Sequence, residues 1–507
     1  MTPPISKYIC GRCFHFFRIN FVLRTLYLVL KFYCFASSAF FQRRIFMQHE
    51  HFENPSVKYA DLLMKTLRLR IEDVPGNLGR VATVLGKSGA LLGDITTRDV
   101  DSHNLTRDIT VFVRSEEMLQ KAIAHLHRLK NITVIKVIDE VLDMHKDGKI
   151  AISSTIPLEN LADLRKAYTP GVASVSELIY RHPEKFYDYT YVGNTICIVT
   201  NGTAVLGLGN IGVKAAMPVM EGKSVLLKRF ADVNAVPILI DSEDPTAIVN
   251  AVLAIAPSFG AIQLEDIKSP ECFEIEKRLM EKLDKPVFHD DQHGTAVVTL
   301  AAMMNALKIL KKDKKKISVV ISGAGAAGIA ICKLLLGFGI RNVILCDRDG
   351  AIYKGRPDNM NDIKEEIAEI TNFKKEKGSL AKIMKGKDAF IGVSGPNLVT
   401  PAMVSSMGKK AICFALANPI PEIFPKEALK AGAALALDGR SLNNALAFPG
   451  IFKGALKARA KSITIAMKIA AAKAIAAQAV KGELVPNQLD MRVHHAVTKA
   501  VYEAVER

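Results

Sequence analysis

The 507-residue chain is 49% apolar and 23% charged, a balance that fits a folded protein of about three domains and excludes a disordered one. Its formal charge of +17 raises nucleic acid as a partner, yet much of the excess lies in Lys7, Arg12, Arg18, Arg24, Lys31, Arg43 and Arg44 and in the loop Lys311 to Lys316. No recognition motif accompanies that charge, so no nucleic-acid partner is expected.

Residues 1–50 hold no acid before Glu50 and are dense in Phe and Arg. A transit segment is also Arg-rich and acid-poor, but it is Ser-rich and amphipathic besides. A membrane span needs about 20 uncharged apolar residues, and Arg24 and Lys31 interrupt the best window, Ile19 to Phe41. No membrane partner is expected, and the favoured reading is a start codon assigned too early, with Met47 or Met64 the true beginning. The eight cysteines, three of them in this leader at Cys10, Cys13 and Cys34, form no paired framework and fit reduced thiols in a cytoplasmic protein.

From Thr66 the pattern becomes that of a small α+β module. Leu67, Leu69 and Ile71 alternate as a strand, Asp73-Val74-Pro75-Gly76-Asn77-Leu78-Gly79 turns, and Arg80–Ser88 reads as a helix. Strands at Asp94–Val100 and Arg107–Arg114, a helix at Glu116–Leu129 and a strand at Val134–Val141 complete a βαββαβ order. With Asp-x-Pro-Gly-x-Leu-Gly, that order resembles an ACT domain over residues 66–142, a regulatory module that binds small effectors at paired sheets. Gly76 and Gly79 would bring backbone amides to such a ligand, or simply relax a tight turn.

A charged linker, Asp143–Lys149, leads to the larger part, divided into residues 151–295 and 296–507. Tyr168 precedes a Pro170-Gly171 turn; a lone tyrosine is more often packing than catalysis. Gly207-Leu208-Gly209-Asn210-Ile211-Gly212 spells G-x-G-x-x-G but reaches Pro218 before a long helix can form, and no acid ends a second strand at the proper distance, so it reads as a decoy. Lys223 precedes the apolar Ser224–Leu227. Such a lysine is ordinarily on the surface, but beside buried carboxylates it could act as a base.

Two carboxylate pairs follow. Glu265-Asp266 ends the apolar strand Phe259–Leu264, and Asp290-Asp291 lies in Phe288-His289-Asp290-Asp291-Gln292-His293-Gly294-Thr295. Adjacent buried acids repel one another unless a cation pairs them, and strand ends of parallel α/β sheets are where ligands bind. Oxygen donors in such a place suit Mg²⁺ or Mn²⁺. The plainer alternative is a solvated turn in which Asp290 or Asp291 caps a helix starting near Thr295.

The second glycine motif has its full context. The β-branched strand Ile317–Ser322 runs into Gly323-Ala324-Gly325-Ala326-Ala327-Gly328, a helical run to Leu336 and a strand, Asn342–Cys346, closed by Asp347 about 20 residues on. That is a dinucleotide fingerprint, with the pyrophosphate at the helix N-terminus. Asp347 would hold the ribose hydroxyls of NAD, while Arg348 could hold the 2′-phosphate of NADP, and the choice stays open. Strands Ala389–Val393 and Ala411–Leu416, the latter before Asn418-Pro419, end in loops facing the nicotinamide. Ala455–Val480 reads as one Ala-rich helix. The fold class expected is α/β: a Rossmann-type doubly wound parallel sheet and an α/β substrate domain, preceded by the βαββαβ module.

Taken jointly, Ala-Tyr-Thr-Pro-Gly, Gly-Thr-Ala-Val-Leu-Gly-Leu-Gly-Asn-Ile-Gly, Val-Met-Glu-Gly-Lys, Leu-Glu-Asp-Ile, Phe-His-Asp-Asp-Gln-His-Gly-Thr-Ala, Gly-Ala-Gly-Ala-Ala-Gly and Ala-Asn-Pro make residues 151 to about 480 resemble bacterial-type malic enzymes. The resemblance implies oxidation of L-malate by NAD or NADP and decarboxylation to pyruvate with Mg²⁺ or Mn²⁺, in a homo-oligomer. It implies Glu265, Asp266 and Asp291 as metal ligands, Lys223 as base, Tyr168 as acid, Asn418 and Asn444 as substrate contacts, Asn418 also beside the cofactor, and Asp290 as the partner of the lysine. Two departures stand out. The family's longer Gly-Arg-Ser-Asp-x-Pro-Asn-Gln-x-Asn-Asn loop is shortened to Gly439-Arg440-Ser441-Leu442-Asn443-Asn444, and Val192 replaces the usual basic residue before Gly193-Asn194. The alternatives are another NAD(P)-dependent hydroxy-acid dehydrogenase, or a metabolite sensor with a decayed catalytic half.

Overall fold

A computed structural model describes residues 62–205 and 207–505; the leader, with the readings attached to it, lies outside them. The chain divides after Ile138 into two compact units.

The first unit runs β1 (Leu63–Glu72), α1 (Asn77–Lys87), β2 (Leu91–Val100), β3 (Asn104–Val113), α2 (Glu116–Leu126) and β4 (Ile132–Ile138). Its antiparallel sheet has the order β2-β3-β1-β4, with Leu67 opposite Ile109 on one side and Val137 on the other. The alternation read from Leu67, Leu69 and Ile71 is an inner face: these side chains pack with Ile109, Val111 and Val113 against Val81 and Leu85 of α1 and Leu119 and Leu126 of α2. On the opposite face Asp108 is gripped by Arg68 and Arg98. Gly76 takes a left-handed φ of 92°, so the turn needs glycine there and α1 starts earlier than the sequence pattern implied.

The second unit holds two parallel sheets. One comprises β5 (Thr195–Thr200), β6 (Asn234–Leu239), β7 (Ala261–Leu264) and β8 (Val287–His289) in the order β6-β5-β7-β8. The other comprises β9 (Ser318–Ser322), β10 (Asn342–Asp347), β11 (Gly350–Ala351), β12 (Ala389–Gly392), β13 (Ala411–Ala415) and β14 (Ala433–Asp438) in the order β11-β10-β9-β12-β13-β14, all parallel but β11. β5, β7, β9, β12 and β13 are buried along their whole length, as strands covered on both faces must be. Chain order reverses between β9 and β12, so the crevice at their C-terminal ends is the place for a ligand.

Three local expectations are corrected. Pro218 does not stop a helix: α3 (Val213–Ala231) runs through it. A proline in the second turn removes one amide and crowds one carbonyl, a cost offset by the face Ala216, Met220, Leu227 and Phe230 buries. The linker contains a helical turn, Glu140–His145, because Asp139 caps it by accepting from the amides of Val141 and Leu142. The Ala-rich segment is two helices: α6 (Phe448–Lys457) ends before Arg459 takes a left-handed φ of 50°, and α7 (Ile465–Gln478) starts anew at the Thr464 cap.

At the centre lies α4 (Asp290–Leu310), followed after β9 by α5 (Ala326–Phe338). α4 is apolar on nearly every side, and most of its most apolar stretch is covered within the protein, as befits a core helix that opens on two acids.

Candidate active site

The acids converge. Glu265 and Asp266 leave the end of β7, the latter in a left-handed φ of 53°, while Asp290 and Asp291 open α4 directly after the neighbouring strand β8. Carboxylate oxygens of Glu265, Asp266 and Asp291 all lie within 4.8 Å of one another, and the first two residues are buried. Asp291 Oδ2 accepts from the Asp266 amide at 2.9 Å, tying the two strand ends together. Gln263, a polar residue in a strand otherwise apolar, donates to Glu265 Oε2 at 2.7 Å. The helix therefore begins at Asp290, five residues before the capping alternative placed it, where the amide dipoles favour negative charge.

Lys223 reaches this cluster from α3. Its Nζ lies 3.0 Å from Glu265 Oε1 and donates a short hydrogen bond to Asp290 Oδ2, with only 16% of the side chain exposed. Burial favours the neutral amine, but Asp290, Glu265 and Asp291 outweigh it and hold the ammonium well above its ordinary pKa. Burial, together with Asp291, Asp290 and Asp266, drives Glu265 well above the usual carboxylate range against the pull of Lys223. Four carboxylates gather at this point with the Lys223 ammonium among them. The carboxylate set consists of oxygen donors alone, the class that Mg²⁺ and Mn²⁺ take, so these residues fit such an ion.

Asn444 arrives from the loop after β14, the edge strand of the second sheet. Its Nδ2 lies 3.3 Å from Asp290 Oδ2 and 3.2 Å from Thr295 Oγ1, so the shortened loop after Asp438 still delivers it to the acids. Arg440 is absorbed in a salt bridge to Asp438 at 2.9 Å. Gly294 makes room for this meeting, since a Cβ there would sit 2.0 Å from Asp290 Oδ1 and 3.1 Å from Asn444 Nδ2.

The Gly323–Gly328 loop joins β9 to α5 at the crevice. A Cβ on Gly328 would fall 1.8 Å from the Gly323 carbonyl oxygen, so the helix closes on its own loop only with glycine there, while the space beside Gly325 at the helix N-terminus is open to an incoming group. Asp347 ends β10 as expected, but its carboxylate is already held by Arg356 at 3.0 Å and Lys364 at 2.8 Å, and Arg348 beside it is exposed. Asn418 lies in the loop after β13, its carbonyl and Pro419 packed near Gly207, so the first glycine motif lines that loop. Glu422 escaped the sequence reading: fully buried, it accepts from the amides of Ser394 at 2.8 Å and Ala417 at 3.1 Å and so joins the loops after β12 and β13. A lone acid in a loop gives no signal of such a task.

Tyr168 stands apart. It follows the helix Leu161–Ala167, is 67% exposed, and among the described residues shares no hydrogen bond with the acid cluster.

Two family models match the chain: the N-terminal domain of malic enzyme over residues 147–247, and the NAD-binding domain of malic enzyme over residues 292–442. NAD-dependent malic enzyme 1 of Bacillus subtilis is 46% identical over 88% of this chain and 98% of its own length. The chain belongs to the malic enzyme family. An NADP-dependent malic enzyme of Rhizobium meliloti is 49% identical to it over 66% of this chain and 45% of the longer relative. The crystal structure of the NAD-dependent malic enzyme from Thermotoga maritima superimposes with a TM-score of 0.69 at 45% identity, covering 71% of this malic enzyme and 98% of that chain.

Proposed function

We propose that this malic enzyme oxidises L-malate and decarboxylates it to pyruvate and CO₂, reducing NAD⁺ or NADP⁺, with Mg²⁺ or Mn²⁺ held by Glu265, Asp266 and Asp291. The observation that carries the reading is the meeting of three acids from two strand ends at one point beside a buried lysine. A divalent ion bound there supplies Lewis acidity, which stabilises the electrons left behind as CO₂ departs. Lys223 is held protonated by three carboxylates, two of which are the proposed ligands Glu265 and Asp291. Lys223 first passes a proton to Asp290 Oδ2 along their hydrogen bond, and the neutral amine so formed takes the proton of the C2 hydroxyl. Asn444, anchored to Asp290, and Asn418, beside the cofactor crevice, orient the substrate, and the Tyr168 hydroxyl returns a proton to C3 after CO₂ has left.

The exposure of Tyr168 bears on assembly. Ile152, Ile156, Leu158, Leu161 and Leu164, in the arm leading to it, are exposed as well. Such an apolar stretch calls for a cover, and we assign that cover to a second copy of the chain, making a homodimer or larger assembly that holds Tyr168 in place. Residues 66–142 are assigned to an ACT-like regulatory domain taking a small effector at the Gly76–Gly79 turn, where open space lies next to both glycines. Residues 151–295 form the substrate and metal domain and 296–507 the dinucleotide domain. The five described cysteines are free and buried, which supports a cytoplasmic setting.

Incubation with malate, Mn²⁺ and either cofactor tests the reaction, with reduced nicotinamide and pyruvate measured together. Equal yields support it. Reduction without pyruvate points to a different hydroxy-acid dehydrogenase, and silence with tight effector binding points to a sensor.

A further inference from the structure

We infer that Glu276 is a positioning residue that sets the affinity of the acid cluster for its cation, by clamping the turn that carries Asp290 and Asp291. The inference rests on the proposed assignment of Glu265, Asp266 and Asp291 as ligands. Glu276 lies in the helix Glu271–Lys282, an element that contributes nothing else to the site, and its side chain is buried. Its Oε1 accepts from the His289 amide at 3.0 Å, and its carboxylate accepts from His293 Nε2 at 2.9 and 3.1 Å.

These two donors bracket the acids. His289 is the last residue of β8 and His293 lies one turn into α4, with Asp290 and Asp291 between them. A single carboxylate bonded at both ends of a five-residue span fixes the angle at which the helix leaves the strand, and with it the direction of both acid side chains. The side chain of His289 makes no hydrogen bond among the described residues, its Nδ1 standing 3.7 Å from Asp291 Oδ2. The opposite side of the turn is tied by Asp291 to the Asp266 amide. The turn is thus held between the two strand ends on one side and Glu276 on the other.

Charge supports the clamp. Burial would push Glu276 up, but His293, Lys468 and His289 reverse this and hold its carboxyl down at about 2. Lys468 comes from α7, with its ammonium 5.9 Å from the Phe288 ring centroid. A buried anion with two donors and a lysine within electrostatic reach is a built support, distinct from the acids it supports.

The test is the affinity of the full-length protein for Mn²⁺, followed by the electron paramagnetic resonance of free Mn²⁺, for wild type, Glu276→Gln, Glu276→Ala and His293→Gln. Loss of a partner one shell out weakens a metal site by about 10- to 100-fold. That weakening is expected for both Glu276 variants, with a raised KM for Mn²⁺, while NADH binding at the Gly323 crevice is unchanged. His293→Gln keeps a donor toward Glu276 and is expected to retain more affinity than either. Should Glu276→Ala not fold, the near-isosteric Glu276→Gln carries the comparison. Variants that melt earlier yet bind Mn²⁺ as wild type does would reduce Glu276 to a purely structural residue and overturn the inference. A wild-type protein that binds no Mn²⁺ would overturn the ligand assignment and the clamp together.

Discussion

Gly294→Ala separates function from stability at one position. An alanine Cβ there would lie 2.0 Å from Asp290 Oδ1, whereas a relaxed carbon–oxygen contact starts at about 3.3 Å. The carboxylate must therefore move by on the order of 1 Å, and Oδ2, which carries Lys223 and Asn444, moves with it. Displacement of that order in a catalytic group costs roughly 10²-fold in rate, equivalent to about 2.7 kcal/mol of transition-state stabilisation. Folding should be affected less, by about 0.5–2 kcal/mol. Losing one charge-assisted hydrogen bond costs about 1.5–3 kcal/mol, and alanine in place of glycine inside a helix returns about 1 kcal/mol. Rates of nicotinamide reduction with malate and Mn²⁺, set beside thermal unfolding by circular dichroism, measure both effects. A Gly294→Ala enzyme with wild-type kcat/KM would refute the role given to the Asp290 carboxylate, since no alanine fits while it stays in place.

Three further outcomes are expected. Lys223→Ala loses malate oxidation by ~10³-fold or more while binding NADH as wild type does; retained turnover would remove Lys223 from the proton path. Gly328→Ala drives a Cβ into the Gly323 carbonyl, so cofactor KM rises at least ~10-fold and stability falls by about 1–3 kcal/mol; an unchanged KM would contradict the phosphate site. Burial pulls the Lys468 ammonium down to about 8, Glu276 notwithstanding, so between about pH 8 and 10.4 the unfolded chain holds the extra proton and stability rises with pH. Urea midpoints across that window should climb for wild type and be flatter for Lys468→Met; equal slopes would show that Lys468 is not the titrating group.

The parts legible in the sequence were those whose cost is visible without neighbours. Two carboxylate pairs at strand ends and the Gly323–Gly328 motif between a buried strand and a helix each demand a ligand. The parts that stayed hidden depend on what packs nearby. Pro218 reads as a helix breaker until the apolar face of α3 is seen buried around it. Glu276 has the look of any acid on an amphipathic helix until His289 and His293 close on it. The break between α6 and α7 leaves little trace in composition, because alanines and lysines continue on both sides of Arg459. Asn444 could be named from the Asn pair, but only the structure shows that the shortened loop still reaches Asp290.

The most direct test of the central claim is turnover before and after removal of divalent ions. Wild-type protein should produce pyruvate and reduced cofactor in equal amounts, fall silent after treatment with EDTA, and recover when Mn²⁺ is restored, whereas Asp291→Asn and Glu265→Gln should fail to recover. Full turnover of malate in the metal-stripped protein, or recovery in both variants, would contradict the assignment of these acids as the seat of the cation.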